Sequence, residues 1–290
     1  MAIRKILVPV VGRLDHTDAL DLAVDLARIL RAHVEALYLK LDREQVLVTG
    51  YEDKNIGWID RNYDSLPQLI DEAGEAAFAT FQAWTKHRHV AISPQRPVRA
   101  NEVSVSWRER IGLPESVIAD SARFCDLVAV PRPDGVDPSR RWPMIYAALV
   151  LAAHPVILLP PRSTTRSWET AIVAWDGSPQ AQHALTAAMP VLARMHRVIL
   201  LTIGAVDGAG PAQDEELLGY LSYHEVRAER LILERDRRGV GVRILEEAKA
   251  NAAELLVMGA YTHSPTYEAI FGGPTLHVIE TTDLPVLMVH

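Results

Sequence analysis

The sequence predicts an α/β chain of two tandem doubly wound domains, each with a five-stranded parallel sheet flanked by helices. Three observations carry this. The 290 residues fit two domains at roughly 100–200 residues each. Strand-like apolar runs alternate with helix-length periodic segments, the pattern of parallel α/β units. The order of these blocks in the first half also recurs in the second, which marks an internal repeat.

The repeat is read block by block. Ile6-Leu7-Val8-Pro9-Val10-Val11-Gly12, polar residues and then Ala19-Leu20 stand against Ala171-Ile172-Val173-Ala174-Trp175-Asp176-Gly177-Ser178, polar residues and then Ala184-Leu185. Leu20, Ala23, Ala27 and Leu30 recur at helical spacing, as do Leu185, Ala188 and Leu192, so both blocks continue as amphipathic helices. Each helix leads to a further strand, at 34–39 and 198–203. Near the ends of the halves, Cys125–Pro131 parallels Ala253–Gly259 and His154–Leu159 parallels Leu284–Val289. In the second half the strands are predicted at 171–175, 198–203, 227–233, 255–258 and 286–289. Helices fit between them at 180–194, 213–224, 239–251 and 275–281. Pro160-Pro161 opens an apolar-poor linker ending at Ser167, so the predicted domains are 1–161 and 168–290. The first is longer through an insertion near 43–65, read as a surface segment with a lid or partner surface as the alternative.

Composition excludes several function classes. One cysteine rules out a disulfide framework and fits the cytoplasm. No apolar run approaches the roughly 18 residues of a membrane span, and the N-terminus runs directly into a strand without a secretory apolar region. A net charge of −7 argues against a nucleic-acid binder. No Walker lysine loop, nucleophile elbow, Cys-x-x-Cys pair or His-Glu-x-x-His helix occurs. His87 and His89 lack a third ligand nearby, and Cys125 precedes a buried strand as a small hydrophobe. Phe81 and Trp84 fall in a long periodic helix and read as core, whereas Trp107-Arg108-Glu109-Arg110 is either a strand end or an interface.

Ligands of doubly wound sheets bind beyond the carboxyl ends of the strands, so the loops after the first, second and fourth strands matter most. Asp176, after the first strand of the second half, can accept hydrogen bonds from a ribose or an adenine amine. Capping of the next helix is its plainer role, although Ser178 before Pro179 is the better cap. After the fourth strand, Gly259 precedes Thr262, His263 and the pair Gly272-Gly273, with Thr275 in the helix beyond. Glycines there let backbone N–H groups approach a phosphate at a helix start; an ordinary turn is the alternative.

The Val-Ala-Trp-Asp-Gly-Ser segment at 173–178, the Gly259…Gly272-Gly273 loop and the terminal Pro285-Val-Leu-Met-Val strand resemble the universal stress protein family. The resemblance covers both halves and implies a tandem member. It also implies a nucleotide signature of glycine, two residues, glycine, nine residues, then glycine and a hydroxyl residue. Gly259 and Gly272 match that signature. Thr262 stands at its second glycine and Gly273 at its hydroxyl, with Thr275 as a substitute. A β-branched residue in a left-handed position costs about 1–2 kcal/mol, and a lost charge-assisted hydrogen bond about 1.5–3 kcal/mol. Either weakens binding about tenfold to a hundredfold.

The first half departs further, with Val11 for the acidic residue and Pro131 for the first glycine. The expected function is therefore a cytoplasmic stress-response or regulatory protein binding an adenine nucleotide, ATP with Mg2+, in the second half alone. Asp176 and Gly177 would face the ribose or adenine, and Ile203 and Met258 would wall the base. Gly259, Thr262, His263, Gly272, Gly273 and Thr275 would surround the phosphates. No catalytic nucleophile or base is identifiable, so slow ATP hydrolysis is the most that is expected. The alternative is an interaction or scaffold module without nucleotide. The resemblance implies pairing through last strands, here within one chain as a pseudo-dimer, with room for a homo-oligomer.

Overall fold

The computed structural model describes residues 2–12, 14, 17–40, 64–93, 102–132, 142–161, 167–204, 211–260 and 273–290. The insertion near 43–65, residues 133–141 and the stretch 261–272 with Thr262, His263 and Gly272 lie outside the described residues, apart from residues 64 and 65.

In the first half the elements run β1 (Lys5–Val11), α1 (Asp18–Leu30), β2 (His33–Lys40), α2 (Leu66–Arg88), β3 (Ala91–Ile92), β4 (Ser104–Ile111), α3 (Pro114–Ala122), β5 (Leu127–Pro131), α4 (Trp142–Tyr146) and β6 (Val156–Leu159). A π-helical turn, Ala147–Leu151, continues α4. The second half follows with β7 (Thr170–Ala174), α5 (Pro179–Leu192), β8 (Arg197–Ile203), α6 (Pro211–Tyr223), β9 (Ala228–Leu233), α7 (Val240–Ala250), β10 (Leu255–Gly259), α8 (Gly273–Thr281) and β11 (Val286–Val289).

One eleven-stranded sheet runs through the described residues in the order β3-β4-β2-β1-β5-β6-β11-β10-β7-β8-β9. β1 sits between β2 and β5, and β7 between β8 and β10, so both halves share one winding. All pairings are parallel except β6 with β11, where Val286, Leu287 and Met288 oppose Leu158, Ile157 and Val156. These six side chains are buried, and the pairing removes two apolar edges that would otherwise template association. Arg132 crosses the same junction, its Nη1 donating to the Glu280 carbonyl at 2.7 Å.

Alternation along the strands fills two cores, one on each face of the sheet. Ile6, Val8 and Val10 join Leu255 and Val257 on one face, while Leu7, Val128, Leu256 and Met258 lie on the other. Trp107 proves to be a packing residue. Its ring stacks on Tyr38 at 5.3 Å between centroids and meets Phe81 at 5.1 Å, which ties β4 and β2 to α2. Cys125 is buried, its thiol donates to the Ala122 carbonyl, and burial pushes its pKa up to about 12. It is therefore a thiol rather than a nucleophilic thiolate.

Candidate functional site

The carboxyl ends of β7, β8, β9 and β10 come together at one edge of the second half. After β7 the chain turns through Gly177, whose φ is +74°. The Asp176 Oδ1 accepts from the Ser178 N–H at 3.0 Å, and the Ser178 Oγ accepts from the Ala181 N–H at 3.1 Å. Ser178 is thus the N-cap of α5, with Pro179 in the first turn. That leaves the exposed Asp176 holding only its own turn through one oxygen.

Gly259 ends β10 against the first turn of α5. A Cβ there would lie 2.7 Å from the Ala181 nitrogen and 2.8 Å from the Gln180 carbonyl carbon. The glycine is required by backbone packing, which is a reason for it independent of any ligand. Beyond it, the Ala260 N–H donates to the Val289 carbonyl at 2.8 Å.

A cleft of about 540 Å³ opens beside this point, lined by Ile203 at the end of β8, Arg235, Asp236, Arg238 and Gly239 after β9, the first turn of α7 through Arg243, and Gly273, Pro274 and His277 of α8. Its size falls within the roughly 300–1,000 Å³ usual for small-molecule sites. Two helices begin at it, α7 and α8. They pack closely because Gly241 has no side chain: a Cβ would stand 2.9 Å from the Pro274 carbonyl oxygen. Gly239, the N-cap of α7, supplies no side-chain cap, so first-turn N–H groups face the cleft with a positive helix end.

Three arginines line the cleft, and two are committed. The Asp236 Oδ1 accepts from the Arg238 N–H at 2.9 Å, and its Oδ2 accepts from the Arg238 Nε at 2.8 Å. Those Arg238 hydrogen bonds hold Asp236 below the ordinary carboxylate range. Arg238 also reaches Glu246 at 3.0 Å, and Arg243 lies 3.3 Å from both Glu246 and Glu247.

Of the residues expected at a nucleotide, Ile203 and Gly273 share this cleft. Asp176 stands at the end of β7, the strand beside β8, and does not line the cleft. Met258 and Thr275 are buried and are likewise absent from its lining. Met258 instead packs in the core on the α7 and α8 face. The loop after β9 lies outside the first, second and fourth strand ends that the doubly wound pattern singles out in the sequence. Its signal is the run Glu234-Arg235-Asp236-Arg237-Arg238-Gly239, a charged segment ending in glycine between a strand and a helix. Among the described residues no group of three His, Cys, Asp or Glu could hold a metal ion. No described helix is long and apolar enough to cross a membrane.

Residues 167–290 match a family model described as the universal stress protein family. No curated protein matches the chain. A solved universal stress protein from Archaeoglobus fulgidus DSM 4304 is similar over 98% of this chain and 95% of its own, at 15% identity and a TM-score of 0.63. A putative universal stress protein from Pseudomonas aeruginosa UCBPP-PA14 is similar over 99% and 93%, at 18% identity and a TM-score of 0.56. A functionally unknown protein from Pseudomonas aeruginosa PAO1 gives 99% and 92%, at 18% identity and 0.54. At these identities the likeness is one of fold, and it extends along both halves.

Proposed function

From the premise that residues 167–290 form a universal stress protein domain, we propose that this half binds an adenine nucleotide and that the protein is a regulatory, stress-response binder. The observation that carries this is the cleft where α7 and α8 begin beside the end of β8. Helix N-termini favour phosphate, while Ile203 offers an apolar wall for a base. Asp176 would take the ribose or adenine amine from the neighbouring strand end with the oxygen that its turn leaves free. Gly273, with φ of +74° and open space where a side chain would be, would let the phosphates approach the start of α8. Magnesium would arrive with the phosphates, since they supply hard oxygen ligands.

The first half would serve as the partner that covers β11. Its equivalent strand end carries the exposed Val11 in place of an acid, and Arg132 at the end of β5 is turned toward Glu280. The titratable groups lining the second-half cleft, other than arginines, are Asp236 and His277. Asp236 is held by Arg238, which suits occupancy sensing better than turnover. The test is calorimetric titration of the full chain with ATP and magnesium, beside an Asp176→Ala variant. Saturable binding, weaker in Asp176→Ala, supports the reading. Absence of both heat and co-purified nucleotide would remove it.

A further inference from the structure

The cleft holds three arginines, and their partners set Arg235 apart. Arg238 and Arg243 are neutralised by Asp236, Glu246 and Glu247. Arg235 lines the same cleft, and among the described residues its guanidinium has neither an ion pair nor a hydrogen bond. Its position is built. The stem lies across Gly204, where a Cβ would stand 3.1 Å from the Arg235 Cγ and 3.3 Å from its Cδ and Nε. Gly204 has φ of +86°, which disfavours any side chain there. Its N–H donates to the Leu233 carbonyl at 2.8 Å, closing the ends of β8 and β9 together. The glycine is therefore a seat that turns the arginine over the end of β8, next to Ile203. Without it, a long exposed side chain in the segment after β9 would sample solvent at a substantial rotamer-entropy cost on binding.

We propose that Arg235, seated on Gly204, is the specificity-determining residue of this cleft. It binds the ligand's phosphate chain, so the site selects phosphorylated over unphosphorylated nucleosides. This rests on the nucleotide reading above and adds the group that recognises the anion. A guanidinium presents a planar fork of donors to phosphate oxygens. The start of α7, without a side-chain cap, and the Gly273 end of α8 line the same cleft. An uncommitted cation and two positive helix ends thus converge on one volume, in a chain whose net charge is −7.

The test is calorimetric titration of the full chain with ATP, adenosine and inorganic pyrophosphate, using wild type, Arg235→Met, Arg235→Lys and Gly204→Ala. Loss of one charge-assisted contact corresponds to about tenfold to a hundredfold. Arg235→Met is expected to weaken ATP and pyrophosphate by that factor and to leave adenosine unchanged. Arg235→Lys should restore part of the loss. Gly204→Ala should lower ATP affinity with Arg235 still present, because the seat is filled. Equal losses for ATP and adenosine, or none for ATP and pyrophosphate, would overturn the assignment. Pyrophosphate binding that depends on Arg235, with no binding of ATP or adenosine, would keep the anion role and defeat the nucleotide reading. Binding of none of the three would defeat both.

Discussion

Gly259→Ala separates two reasons for one glycine. If Gly259 serves only to bring backbone toward a phosphate, its replacement should affect ligand binding and leave the empty protein intact. The geometry says otherwise. The added methyl would stand 2.7 Å from the Ala181 nitrogen, 2.8 Å from the Gln180 carbonyl carbon and 2.9 Å from the Gln180 Cβ, whereas ordinary contact begins near 3.4 Å. About 0.7 Å has to open between β10 and α5, and two of the three atoms are backbone, so no rotamer change relieves the clash. The affected turn is also fixed by Ser178 and Pro179. Overpacking of this kind costs about 1–3 kcal/mol, and each kcal/mol lowers Tm by roughly 2–4 °C in a protein of this size class. Thermal unfolding of nucleotide-free protein should therefore show Gly259→Ala about 2–12 °C below wild type. Gly273→Ala meets nothing within 4 Å but puts a side chain at a φ of +74°, a strain of about 1–2 kcal/mol, and should lower nucleotide affinity as well as Tm. An unchanged Tm for Gly259→Ala would refute the packing account.

Two further outcomes follow from the packing of the sheet. Leu287→Asp places a carboxylate opposite Ile157 in the buried junction between β11 and β6; a buried unpaired charge is costly, so a single calorimetric unfolding transition in wild type should split in the variant, and retention of one unshifted transition would count against the junction as the coupling element. His33 sits between the Ser104 and Ser106 hydroxyls at 2.9 and 2.8 Å, and burial lowers its pKa from 6.5. The unfolded chain therefore binds the proton first: the contribution is complete above pH 6.5 and is lost as pH falls through that value toward the folded pKa. Urea midpoints at about pH 8 and about pH 5 should differ more in wild type than in His33→Ala, and equal differences would contradict the assignment.

Much of this fold is legible in the sequence, because the features that encode it are local. Ser178 before Pro179 reads as a cap from two adjacent residues, and the matched β1 and β7 blocks each carry their own apolar run and glycine. The site is less legible, because it is made by strand order. Arg235 and Ile203 are some thirty residues apart in sequence and meet only because β9 pairs with β8 in parallel, with Ile203 opposite Leu233. Met258 illustrates the converse. Its place near the end of a strand suggests a ligand wall, yet strand alternation assigns it to the core face with Leu256. Gly259 satisfies a phosphate signature and a packing requirement equally well on paper; only the position of the Ala181 nitrogen distinguishes them.

The central claim is that one fold is used twice and that one copy binds nucleotide. Its most direct test is the stoichiometry of ATP bound to the full chain at saturation, by equilibrium dialysis with magnesium. The account predicts one ATP per chain, with Asp176→Ala and Arg235→Met each lowering the affinity. Two per chain, or none, would contradict it.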